Sequence, residues 1–190
     1  MALRIPARFK ADDIWDTPED GNRYEVIDGH YEVIDGQLYV SPPPLEPHQN
    51  CARNLFFSLE SHVRAQKLGR VYFAPLAVTL DDENAVEPDL VYLSNDRFGI
   101  ISERGIEGAP DLVVEILSRS TQSRDRGIKL RRYAGAGIRH YWIVDPRARA
   151  IEAYELLGDD YELVGTVASG QIFSPSLFPG LDIPVNDLWT

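Results

Sequence analysis

Glu115 stands inside an otherwise apolar run at 112–117, LVVEIL, whose residues alternate as a strand does. Leu112, Val114 and Ile116 must share one face of that strand, and Asp111, Val113, Glu115 and Leu117 the other. A carboxylate set in so much apolar surface costs several kcal/mol unless a cation or hydrogen-bond donors compensate it. It is therefore a cation ligand, a structural ion-pair partner, or a strand-end group reaching water. Asp89 offers a second carboxylate, after Pro88 at the start of DLVYL. Adjacent strands lie about 4.8 Å apart, so one carboxylate on each can share a divalent cation. Asp111 is about 13 Å from Glu115 along one strand, too far for a common ligand, and belongs to a strand entrance beside Gly108 and Pro110. Asp125, Lys129 and Tyr133 follow at i, i+4 and i+8, along one helical face. A lysine beside a metal and a phosphate could position water or stabilise phosphoryl oxygens; the alternative is a surface Asp–Lys pair. Arg131 and Arg132 read as solvated.

The 190 residues carry 19 basic and 30 acidic groups, a net charge of −11, which argues against non-specific coating of nucleic acid. The charge is uneven. Nine of the 19 basic residues but two of the 30 acids fall in 119–149, a net +7 against −18 for the rest. Such an island suits a local anion site, or a helix face whose arginines pair with acids elsewhere. The single cysteine, Cys51, excludes a disulfide framework and a thiolate metal site. No P-loop or dinucleotide-binding glycine pattern occurs. No apolar run is long enough for a signal peptide or a membrane span, so a soluble, cytoplasmic protein is expected.

The elements that must position these groups follow from periodicity. Residues 48–67 predict a helix, with Ala52, Leu55, Phe56, Leu59 and Val63 on one face and Gly69 as a stop. Three strands follow at 70–80, 86–93 and 111–117, then a helix at 121–135 with Ser120 or Thr121 as N-cap and Gly135 or Gly137 at its end. A strand at 140–145 precedes a hairpin of 150–157 and 161–168. The tail is expected to pack back through Phe178, Leu181 and Trp189. This order predicts an α/β sandwich around one sheet of mixed strand direction.

Before the first helix, YEVIDGH at 24–30 is followed directly by YEVIDGQ at 31–37. Each copy alternates like a strand and ends in the Asp-Gly of a hairpin turn, and 37–40 answers as the return strand. Seven is odd, so within one strand the extra copy would swap the two faces; a turn or bulge at Asp28-Gly29 is expected to absorb it.

Asp89 after proline, Glu115 in a buried strand and Lys129 together resemble the PD-(D/E)XK nuclease motif, and more closely the Uma-two family of restriction-endonuclease-like proteins. The likeness spans 21–190 through YEVIDGQLYVSPPP, the PHQ at 47–49, VEPDLVYLS, GAPDLVVEILSRST, DRGIKLRRYAGAGIRHYWIVDP and FPGL. It implies a restriction-endonuclease-like α/β (α+β) core, a mixed sheet flanked by helices with N- and C-terminal hairpins, while residues 1–20 ahead of it read as an arm with room for one short helix. It implies a DNA endonuclease dependent on Mg²⁺ or Mn²⁺, with Asp89 and Glu115 as metal ligands, DNA as substrate and a homodimer as assembly. Leu117 stands where the motif's lysine should follow Glu115; Lys129, on the next helix, takes that role. The family's hairpin glutamate corresponds to Glu25 or Glu32, and Glu32 is favoured because it keeps the adjoining strand. His48 either reaches the site or is an ordinary N-terminal helix residue, while His30, His62 and His140 lack metal-ligand spacing. The rival expectation is a binding or scaffold protein that keeps this fold without turnover.

Overall fold

Two prolines decide how the middle of the chain is divided. Pro75 and Pro88 each lack the N–H that a ladder needs, and each falls inside a run that reads as one strand. The chain breaks at both. In the computed structural model, which describes residues 30–41 and 44–190, the runs at 70–80 and 86–93 become four strands shared between two sheets. The proposed arm and the first heptad copy through Gly29, with its turn, lie outside the described residues.

In chain order, β1 (His30–Ile34) and β2 (Gln37–Ser41) form the hairpin through Asp35-Gly36, and α1 spans Glu46–Gln66. Both turn residues have positive φ, 56° and 68°, the conformation that an Asp-Gly hairpin turn requires. Then come β3 (Gly69–Phe73), β4 (Val78–Asp81), β5 (Asn84–Val86) and β6 (Leu90–Ser94). A 3₁₀ turn at Asn95–Ile100 leads to two short strands that periodicity did not reveal, β7 (Ile101–Ser102) and β8 (Gly105–Glu107). The strand of Glu115 is β9 (Leu112–Ile116). The next helix is not continuous: α2 (Gln122–Arg124) opens into a π turn at Asp125–Lys129 before α3 (Leu130–Gly135). At its start Thr121 makes no side-chain cap; its Oγ1 accepts instead from the Ser118 N–H at 3.3 Å. After β10 (His140–Asp145), the hairpin of β11 (Ala150–Leu157) and β12 (Asp160–Ala168) forms as expected, and β13 (Ile172–Phe173) pairs with β14 (Ile183–Pro184).

Among the described residues the strands therefore form two six-stranded sheets rather than one, β2-β1-β5-β4-β8-β7 and β12-β11-β10-β9-β6-β3, beside the two-stranded β13-β14. Strand direction is mixed, with β9·β10 and β4·β8 parallel. The second sheet is covered on both faces, which is why its central strands read as continuous apolar runs. On one face, Cys51, Leu55, Leu59 and Val63 of α1, with Phe178, Leu181 and Leu188 of the tail, pack on Leu90, Leu112, Val114, Ile116 and Trp142. On the other, Ile34, Val78, Val86 and Ile106 from the first sheet and Tyr133 from α3 pack on Val91, Val113, Leu117 and Ile143.

Candidate functional site

The second face is interrupted by charge. Glu32, Glu115, Asp125 and Lys129 are all buried, at 4%, 4%, 1% and 3% exposure, so none is a solvated surface group. Strand β6 runs antiparallel to β9 with Leu90 opposite Val114 and Val91 opposite Val113. Continuing that register by one residue sets Asp89 opposite Glu115, on the same face. Asp111 is elsewhere: it accepts from the Ser94 N–H at 2.7 Å and pairs with Arg97 at 3.1 Å.

Lys129 joins the cluster. Its Nζ lies 2.6 Å from Glu32 Oε1, 2.9 Å from Glu115 Oε1 and 3.6 Å from Asp125 Oδ1. The surface Asp–Lys pair weighed from spacing alone is thus replaced by a buried, multiply paired cation. Burial alone would lower the pKa of Lys129, but the surrounding carboxylates outweigh it and hold it above the ordinary lysine value. Burial drives Glu115 well above the usual carboxylate range, only partly offset by Lys129 and reinforced by the negative charges of Asp125, Asp89 and Glu32. Asp125 is raised by the same burial, again offset by Lys129.

The remaining contacts fix rotamers. Tyr133 donates its hydroxyl to Glu115 Oε1 at 2.6 Å, next to the bond from Lys129. Asp89 Oδ2 accepts from the Ile116 N–H at 2.7 Å and sits 3.2 Å from His48 Nε2. Burial lowers the His48 pKa, yet the hydrogen bond and charge of Asp89 leave it raised overall. Arg124 lies 3.6 Å from Glu32 Oε2, over the ring of Tyr39. Arg124 was not singled out by the sequence beyond its membership of the basic island at 119–149. The choice between Glu25 and Glu32 resolves in position alone: Glu32 is in the cluster, and Glu25 lies outside the described residues. Cys51 is buried and its thiol pushed up to about 12, so it is no nucleophile.

Glu32, His48, Asp89, Glu115, Arg124 and Lys129 all line one cavity of about 770 Å³. Among the described residues, no three histidine, cysteine or carboxylate side chains converge as a ready cage for a metal. The donor set nonetheless fits a small hard cation, because Mg²⁺ is usually held by one or two carboxylates with water and phosphate completing its shell. Among the described residues, the bonds made by the two groups fall on Asp89 Oδ2 and Glu115 Oε1, which leaves the second oxygen of each carboxylate for a ligand.

The model of the Uma2 family, described as a putative restriction endonuclease, matches residues 18–186. The chain belongs to the Uma2 family. A crystal structure of a putative nuclease belonging to DUF820 from Anabaena variabilis ATCC 29413 is similar to this Uma2-family chain with a TM-score of 0.72. That match has 20% identity and covers 95% of this chain and 97% of the other, a likeness that shows a shared nuclease-like fold. No curated protein matches this Uma2-family chain. Among the described residues, no helix is long and apolar enough to cross a membrane.

Proposed function

We propose that this chain is an endonuclease that hydrolyses DNA phosphodiesters with Mg²⁺ or Mn²⁺ held by Asp89 and Glu115. The observation that carries the reading is the strand register that faces these two carboxylates at one cavity, with Lys129 Nζ 2.9 Å from Glu115. When bound, the cation would supply an activated water and neutralise charge developing on the phosphoryl group. Tyr133 and Lys129 hold one oxygen of Glu115, and Ile116 and His48 hold one of Asp89, so both carboxylates are oriented before any ligand arrives. Lys129, kept charged by its neighbours, is placed to donate to a phosphoryl oxygen as negative charge builds there. Glu32 and Asp125 hold that ammonium as well, at 2.6 and 3.6 Å. A homodimer would set two such cavities against the two strands of a duplex.

Calorimetric titration with Mg²⁺ and Mn²⁺, alongside nicking of supercoiled plasmid, tests the reading. The wild type should bind metal and nick. Metal binding without nicking at any protein concentration would turn the assignment toward the scaffold alternative.

A further inference from the structure

Four of the nine basic residues of 119–149 are paired with acids in the fold, and two others stand at the cavity. Lys129 is ringed by Glu32, Glu115 and Asp125; Arg124 faces Glu32; Arg126 pairs with Asp145 and Glu152; Arg132 pairs with Asp35. Arg119 and Arg147 make no ion pair among the described residues, are exposed, and both line the cavity that holds Asp89 and Glu115.

Their placement comes from the sheet. Strands β9 and β10 are parallel neighbours with Ile116 opposite Val144, and Arg119 and Arg147 each come three residues later. Both arginines therefore leave the same carboxyl end of two adjacent parallel strands, the edge where α/β sheets take their ligands. Each backbone is tied locally. The Thr121 N–H donates to Ser118 Oγ at 3.2 Å beside Arg119, and the Arg147 and Ala148 N–H groups donate to Asp145 Oδ1 at 2.9 and 3.0 Å. The floor below carries Glu32, Asp89 and Glu115, so a polyanion meets repulsion unless cations at the mouth take its phosphates.

We propose that Arg119 and Arg147 form the phosphate clamp that seats a DNA strand across this cavity, one guanidinium on each of two backbone phosphates. The planar fork of arginine matches phosphate oxygens in a way that the point charge of lysine does not. The proposal rests on the nuclease reading of the same cavity, and its test is a binding measurement that needs no cleavage.

Binding of a fluorescent duplex oligonucleotide is followed by anisotropy across a salt series, without divalent metal. Arg119→Ala with Arg147→Ala is compared with Arg131→Ala with Arg139→Ala, two exposed arginines outside the cavity lining. Both pairs remove the same charge. The clamp predicts that the first pair weakens binding about tenfold or more at low salt. It also predicts that the slope of log K against log salt becomes shallower by roughly two, at about 0.9 per phosphate contact. The second pair should leave the slope as in the wild type, and both double variants should melt as the wild type does. Equal slopes in the two double variants, or no DNA binding by the wild type, would overturn the clamp. Arginine-dependent binding by a protein that nicks nothing would uphold the clamp and sink the nuclease reading. Nicking unaffected by the first pair, with the slope unchanged, would do the reverse.

Discussion

The two faces of β9 are built from one five-residue strand and have opposite characters. Toward α1 and the tail, Leu112, Val114 and Ile116 lie in an apolar layer where Trp142 and Phe178 meet Phe173 and Tyr92 edge to face. Toward the first sheet, Val113 and Leu117 flank Glu115, and the apolar layer gives way to Glu32, Asp125 and Lys129. The first face gains stability from every group it buries. The second buries carboxylates around one lysine, an arrangement that costs desolvation at each charge and holds only while the cation is present. The contrast separates the part of the molecule that makes it fold from the part to which the proposed chemistry is assigned.

Removing the cation should break the second face most severely. Lys129→Met leaves Glu115, Glu32 and Asp125 buried without their shared partner, with an expected loss of about 3–5 kcal/mol. Glu115 and Asp125 already have raised pKa values, and losing Lys129 raises them further. Stability held by carboxylates with raised folded pKa values is present at low pH and lost as pH rises through those values. The deficit should therefore be largest at neutral pH and shrink toward pH 5 in denaturant titrations. Turnover per folded molecule should fall about 10²-fold or more.

Phe178→Ala tests the other face. It opens a cavity beside Tyr92 and Trp142 and should cost about 3–5 kcal/mol, without the pH dependence of the lysine variant and with metal affinity kept in the folded fraction. The smallest effect belongs to a charge pair outside both regions. Arg97→Ala removes a half-buried bond to Asp111 and should cost about 1 kcal/mol in thermal melts, with nicking unchanged. A large loss of nicking there would bring Asp111 back into the site.

The faces of β9 were legible in the sequence because strand alternation has a period of two and Glu115 breaks an otherwise apolar set. Asp89 and Lys129 were legible too, the first from its proline and strand, the second from its spacing to Asp125 and Tyr133. The split of 70–80 and 86–93 was announced by Pro75 and Pro88, but apolar periodicity runs straight across both. The first sheet escaped as a separate sheet because its edge strands β7 and β8 are two and three residues long, too short to show a pattern. The π turn escaped because the i, i+4 spacing of Asp125 and Lys129 looks the same in an unbroken helix. His48 meets Asp89 only because α1 starts over the end of the second sheet, a long-range fact that no local spacing contains.

The central claim, that Asp89 and Glu115 hold a divalent cation, is tested most directly by calorimetric Mn²⁺ titration of the wild type and Glu115→Gln. Gln keeps the shape and the acceptor oxygen for Tyr133 and Lys129 but removes the charge that holds a hard cation. The account predicts measurable binding by the wild type and at least about a tenfold weaker affinity in the variant. It also predicts that the variant without metal melts no lower than the wild type at neutral pH, since a desolvated carboxylate has gone. Equal Mn²⁺ affinity in the two proteins would contradict it.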